Sequence, residues 1–281
     1  MDAAPPKAPA GFGKWLAKGP LNPASALFRE DDYLLTGEST LTDRALYHSV
    51  LAAIAQGKTT QGAIASSLGR EQRGVQYPLA ALEETGFVYR DDDLLRQRRP
   101  TYRLADPILM FHHVVTRPDL ARFEERRTDE AWADAQDRFN SQVLGPQFEQ
   151  VARDFTATLS SPMLGGVASR VGRAVINDAA GKTAHELDVV VLNATARNRK
   201  PRVLLIGEAK FTHDAPSIAA LERLERIRDL LAARDDVDSR DVRLALFSGF
   251  GFKEALTRVA RDREDLLLFD LPDLFATVSR R

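Results

Sequence analysis

Two stretches decide how this chain is read: AHELDVVVLN at residues 184–193 and PRVLLIGEAKF at residues 201–211. Each is a short run of Val, Leu and Ile bounded by polar residues, the pattern of a buried strand. Side chains two apart on a strand point the same way, so Glu208 and Lys210 share one face of the second strand. Asp188 lies near the middle of the first. If the two strands are neighbours, two carboxylates and an ammonium converge on one patch. Beside them runs a preceding helix with Phe148, Val151 and Phe155 on its apolar side, and that helix carries Glu149. A hard ion such as Mg²⁺ takes carboxylate and carbonyl oxygens and keeps several waters. These residue types therefore predict a divalent-metal site at Asp188 and Glu208, with Lys210 placed to orient a water or to meet charge developing on a phosphoryl group. The plainer alternative is a solvated Glu-x-Lys ion pair at i and i+2.

Outward from these strands, VASRVGRAVIND at 167–178 reads as a third, joined to the Asp188 strand by a hairpin turn at DAAGK. Downstream, Ile218, Leu221, Leu224, Ile227 and Leu231 mark an amphipathic helix. VRLALFSGF at 242–250 is a strand, a helix follows near Glu254 to Val259, and LLLFD at 266–270 closes the series. The order is αβββαβ with an αβ addition, an α/β fold with a mixed sheet flanked by helices. This order, with Asp188 on one strand and Glu208-x-Lys210 on the next, resembles the PD-(D/E)XK nuclease fold over about residues 139 to 250. The resemblance implies that Asp188, Glu208 and the Ala209 carbonyl hold Mg²⁺, that Lys210 assists the attacking water, and that Glu149 completes the acidic cluster. Leu187 stands where the motif's name has proline, although HELD resembles its E-x-D variants.

The N-terminal half carries a different signal. Leu46, Val50, Ala53 and Ile54 fall on one helical face that Gly57 ends. Thr60 is placed to cap a second helix with Ile64, Ala65 and Leu68 inward and Gly69 at its end. Val75, Leu79 and Leu82 mark a third, closed by Gly86, with Pro78 predicting an interruption or a late start. The strand FVYR, the loop DDDLLRQRRP and the strand TYRLAD follow, and three helices with a hairpin make a winged helix-turn-helix domain. Arg70, Arg73 and Gln76 at the start of the third helix are expected to enter a major groove. Arg96, Arg98, Arg99 and Arg103 on the wing are expected to follow phosphates, against a local field set by Asp91, Asp92 and Asp93.

These boundaries give a flexible leader at 1–20, a winged-helix domain with an N-terminal strap at 21–106, a helical linker at 107–138 and the nuclease-like domain at 139–281. The length of 281 residues agrees with about two domains at roughly 150 residues each. A formal net charge of -1 excludes a uniformly basic nucleic-acid binder, so any basic surface must be local. The absence of cysteine excludes disulfides, thiolate zinc sites and a cysteine nucleophile. No apolar run reaches the roughly 18 residues of a membrane span, and a cytoplasmic protein without a membrane partner is expected. Gly-Lys-Thr occurs at 57–59 and 181–183, but Ala52 and Ile176 stand where a phosphate-binding loop needs its first glycine. No ATPase activity is expected from this chain alone.

Taken together, the two halves, including YRLADPILMF at 102–111 and LNPASALFREDDYLL at 21–35, resemble the C-terminal region of a family of archaeal and bacterial AAA-type ATPases over about residues 21 to 270. In that family an ATPase precedes a winged helix and a restriction-endonuclease-like domain of uncertain function. The ATPase is missing here, which implies either a standalone descendant or an AAA-type ATPase supplied by another chain. The reading is a DNA-binding, Mg²⁺-dependent phosphodiesterase whose winged helix positions DNA. Two alternatives stand beside it: a non-catalytic DNA-binding or regulatory module, and a partner subunit for such an ATPase.

Overall fold

The computed structural model describes residues 11–29, 43–96, 100–193 and 200–276. The chain forms two compact units, Met1–Arg90 with Pro100–Leu144, and Asp91–Arg99 with Gly145–Arg281.

The first unit contains helices α1 (Phe12–Lys18), α2 (Arg44–Ala55), α3 (Gln61–Ser67) and α4 (Arg73–Glu84), strands β1 (Val88–Asp91) and β2 (Thr101–Leu104), and helices α5 (Pro107–Phe111), α6 (Leu120–Glu124) and α7 (Thr128–Phe139). From α2 to β2 the elements follow in winged-helix order. The helix ends lie where the sequence puts them: the Thr60 hydroxyl accepts the Ala63 N–H at 3.2 Å, and the Asp43 carboxylate accepts that of Leu46 at 3.1 Å. Gly57, Gly69 and Gly86 take the left-handed conformation that lets a helix stop, with φ of 82°, 62° and 77°. Val50, Leu51, Ile54, Ile64, Val75, Leu79 and Leu82 are buried together. Pro78 does not interrupt α4. It is buried inside the helix, which runs on to Glu84 without the one N–H that proline lacks.

Two boundaries depart from the sequence reading. Residues 11–20 are not a leader, because Leu16 and Leu21 are buried and Phe12 packs on Trp132 and Phe139 at ring separations of 6.2 and 5.8 Å. Nor is the region after Pro107 a linker. Phe111, Val115, Phe123, Ala131, Ala135 and Phe139 join the same core as α2 to α4, and their apolar spacing is what holds them there. Phe28 of the strap is fully buried, while Leu34 and Leu35 lie outside the described residues.

The second unit contains α8 (Gly145–Thr156), α9 (Ser161–Leu164), β3 (Ala168–Asp178), β4 (Thr183–Asn193), β5 (Val203–Lys210), α10 (Ile218–Ala232), β6 (Arg243–Ser248), α11 (Glu254–Arg261), β7 (Leu266–Asp270) and α12 (Leu271–Ala276). The sheet runs β3-β4-β5-β6-β7, antiparallel through the first three strands and parallel from β5 to β7. One core packs α10 on the sheet through Leu221, Leu224, Ile227 and Leu231, and another packs α8 on it through Phe148 and Ala152. Among the described residues no helix is long and apolar enough to cross a membrane.

Strand β3 lies at the sheet edge, and residues 91–96 cover it. The Leu94 N–H bonds the Arg173 carbonyl at 3.0 Å, while the buried Asp93 carboxylate accepts the N–H groups of Val175 and Leu95 at 2.9 and 2.8 Å. Leu94 and Leu95 pack into the α10-side core. This covers the middle of an edge strand whose backbone groups would otherwise be open to aggregation. Asp93→Ala leaves two N–H groups without their acceptor and is expected to destabilise the protein by about 1–3 kcal/mol, with a smaller loss for Asp93→Asn. Urea melts measure this, and an Asp93→Ala curve that overlays the wild type contradicts the edge role.

Candidate functional site

The register of β4 shows how Asp188 is aimed. Gly172 pairs with Val190 and Ala174 with Leu187, so two steps along β3 oppose three along β4, and the extra residue falls at Asp188–Val189. This is a β-bulge, a device that re-aims a side chain and ends pairing. Its effect is visible in the packing, with Leu187 and Val190 in the α10-side core and Val189 and Val191 in the α8-side core. On the other side of β4, the ladder to β5 ends at Val189–Gly207. Just beyond, the Asp188 Oδ2 accepts the Ala209 N–H at 2.9 Å, so a carboxylate occupies the place where the next backbone partner would be.

Glu208, with 5 % of its surface exposed, sits between two cations. Lys210 Nζ lies 2.9 Å from Oε1, and the Arg223 guanidinium from α10 lies 2.5 Å from Oε2. Lys210 keeps half of its side chain in solvent. Across the sheet, buried Arg153 of α8 donates to the Asp188 carbonyl at 3.0 Å and to Gln150 Oε1, and lies 3.9 Å from Glu149. The Asp188 carboxyl is pushed up to about 7, first by burial and then by the charge of Glu149. Glu208 adds to the rise, while the Ala209 N–H and the Lys210 charge oppose it. Glu149, Glu208, Ala209 and Lys210 therefore all act on the Asp188 carboxylate.

Among the described residues no three histidine or acidic side chains gather into a ready cage for a metal. Glu149 bears on Asp188 through its charge. The donor chemistry nonetheless suits a hard divalent ion. Only one Asp188 oxygen takes the Ala209 N–H, and Glu208 Oε2 is buried with no aligned hydrogen bond despite its proximity to Arg223. Sequence reasoning missed Arg153 and Arg223. Arg153 has a local signal, its i+4 spacing from Glu149 on one helix face, whereas only the packing of α10 on β5 brings Arg223 to Glu208.

In the first unit, Arg73 and Gln76 are exposed on the opening turns of α4, and exposed Arg70 lies in the turn before them. Tyr77, with 69 % of its surface exposed, stands beside them and was also missed, although it lies off the Val75–Leu79–Leu82 face. Arg96 belongs to the second unit and bonds the Asn177 side chain, because buried Leu95 and partly buried Leu94 pack on that unit's core. Arg103 is half-buried on β2, and Arg98 and Arg99 lie outside the described residues. The second Gly-Lys-Thr lies in the β3–β4 turn, where buried Asp178 accepts the Gly181 N–H at 2.7 Å.

No protein-family model matches this chain, and no curated protein does. Similar solved structures include MepR of Staphylococcus aureus in complex with DNA, at 21 % identity over 42 % of this chain and 98 % of that one, with a TM-score of 0.24. The PcaV transcriptional regulator of Streptomyces coelicolor, solved with its natural ligand, gives 22 % identity over 47 % and 89 %, with a TM-score of 0.24. Protein VC1899 of Vibrio cholerae gives 14 % identity over 91 % and 56 %, with a TM-score of 0.28. Superposition at this level leaves fold and function to be argued from the chain itself.

Proposed function

We propose that this chain binds duplex DNA through Arg70, Arg73 and Gln76 and hydrolyses phosphodiester bonds at Asp188, Glu208 and Lys210 with Mg²⁺, in a domain of PD-(D/E)XK type. The observation that carries the reading is the bulge that sets the Asp188 carboxylate on the Ala209 N–H, next to the Glu208–Lys210 pair. Asp188, Glu208 and the Ala209 carbonyl are the groups that would hold the ion, which when bound supplies Lewis-acid polarisation of the phosphoryl group. Lys210, tethered at 2.9 Å yet half in solvent, orients the attacking water and meets the charge that develops on the phosphoryl oxygens. Arg223 positions Glu208, and Arg153 positions the bulge through the Asp188 carbonyl.

A second reading also has an observation behind it. Glu208 between Lys210 and Arg223 is neutralised as a structural ion pair would be, and the unit then serves a non-catalytic DNA-binding or regulatory role. Mg²⁺-dependent cleavage of plasmid DNA that is lost in Lys210→Ala separates the two. An AAA-type ATPase partner rests on the sequence resemblance alone, and co-purification with such a chain tests it.

For duplex binding, Arg73→Ala is expected to weaken affinity across sequences and to lower the slope of log affinity against log salt by about 1, the loss of one phosphate contact. Fluorescence anisotropy at several salt concentrations measures both. An unchanged affinity and slope removes Arg73 from the interface.

A further inference from the structure

At the ends of β5 and β6, one step past Lys210, the second unit displays aromatic rings on its surface. Phe250 has 44 % of its surface exposed, and its ring centre lies 4.1 Å from that of His213 and 5.1 Å from that of Phe211. Phe211 in turn rests on buried Phe148 at 5.4 Å, so the exposed ring is backed by a series of tilted rings rooted in the α8-side core. The supporting loop is built for this. Gly249 bonds the Lys210 carbonyl through its N–H at 3.0 Å, and a Cβ there would fall 2.4 Å from the Phe211 ring, so only glycine lets that ring lie against the loop. The Phe250 N–H is held by the Ser248 hydroxyl at 3.3 Å. Lys210 precedes Phe211 and Lys253 follows Phe250 by three residues; both side chains are half exposed, Lys210 paired with Glu208 at 2.9 Å and Lys253 with Asp214 at 3.0 Å. The ends of parallel strands, which β5 and β6 are here, are where open α/β sheets place their ligands.

We infer that Phe250, backed by Phe211 and His213, is a stacking platform for an unpaired nucleobase, so that the strand handled at Lys210 is single-stranded DNA or a frayed end. This rests on the reading that the site acts on a DNA backbone. A lone exposed aromatic is commonplace. An exposed ring backed by tilted rings that reach the core, on the strand end that carries Lys210, offers what single-strand binders use, since every base has a π-face. The preformed ring cluster keeps the ordering cost of binding low.

The test uses the full chain with EDTA present, so that no cleavage intervenes, and compares labelled oligothymidine with a duplex of equal length. Phe250→Ala is expected to lose about tenfold in affinity for the single strand, the effect of one stacked base, while duplex affinity stays as in the wild type. Phe250→Trp is expected to retain single-strand binding and to show fluorescence quenching by oligothymidine but not by duplex. Single-strand affinity unchanged in Phe250→Ala, or no quenching in Phe250→Trp, overturns the platform and leaves duplex binding standing. A wild-type chain that binds neither DNA overturns the platform and the DNA-binding reading together.

Discussion

Lys210→Ala is expected to lower Mg²⁺-dependent cleavage of plasmid DNA by roughly two to three orders of magnitude, the scale of removing one preorganised group that meets transition-state charge. The effect falls on chemistry and not on folding. Lys210 is half in solvent, so its removal opens no cavity, and Glu208 keeps Arg223 at 2.5 Å as a partner for its buried charge. Only the lysine end of this pair is exposed, so with Arg223 still in place its loss is expected to cost a modest amount of stability. The variant should therefore still fold and melt cooperatively near the wild type while failing to relax supercoiled plasmid. Lys210→Arg keeps the charge but replaces a compact ammonium with a planar fork, and an intermediate rate is expected. A Lys210→Ala protein that relaxes plasmid as fast as the wild type reduces Glu208-x-Lys210 to the ordinary ion pair of a solvated strand face.

Asp188→Asn is expected to abolish cleavage and, in the absence of divalent ions, to make the protein more stable at alkaline pH. The Asp188 carboxyl titrates at about 7 in the folded protein against an ordinary value of 3.8, mainly through burial and the charge of Glu149. Between those values the folded chain holds a proton that the unfolded chain has lost. Wild-type stability therefore falls as pH rises from about 4 to about 7, and the loss is complete above that range. A shift of this size corresponds to a few kcal/mol, and a realised gain of about 1–3 kcal/mol for the neutral amide allows for relaxation of the site. The amide oxygen can still accept the Ala209 N–H, so the bulge keeps its hydrogen bond. Urea melts of both proteins with EDTA should nearly coincide at pH 4 and separate progressively to pH 8. A constant gap at every pH contradicts the crowding of Asp188. Adding Mg²⁺ should stabilise the wild type and not the variant, because only an ion that binds the folded state raises its stability.

Much of this architecture is legible in the sequence because it depends on local chemistry. Thr60 and the glycines at 57, 69 and 86 mark helix ends through capping bonds and positive φ, which need no distant partner. The Val, Leu and Ile runs around Asp188 and Glu208 mark buried strands, and i and i+2 alternation puts Lys210 against Glu208. What escapes is set by contacts far apart in the chain. The bulge at Asp188 arises from a two-against-three register with β3, which alternation within β4 cannot reveal. Arg223 reaches Glu208 only because α10 packs across β5. The loop at 91–96 looks like a solvated wing from its charges, yet Leu94, Leu95 and Asp93 hold it on the edge of β3. The same applies near the N-terminus, where an Ala- and Pro-rich opening masks the burial of Leu16 and Leu21.

The central claim is that the Asp188 cluster hydrolyses DNA, and the most direct measurement is incubation of end-labelled duplex, with and without a single-stranded tail, with the full wild-type chain and with Asp188→Asn. Each is run once in Mg²⁺ and once in EDTA. The expected result is product from the wild type in Mg²⁺ alone, and none from an Asp188→Asn protein that melts at or above the wild-type midpoint. No product from the wild type in Mg²⁺, or equal product from the folded variant, contradicts the account.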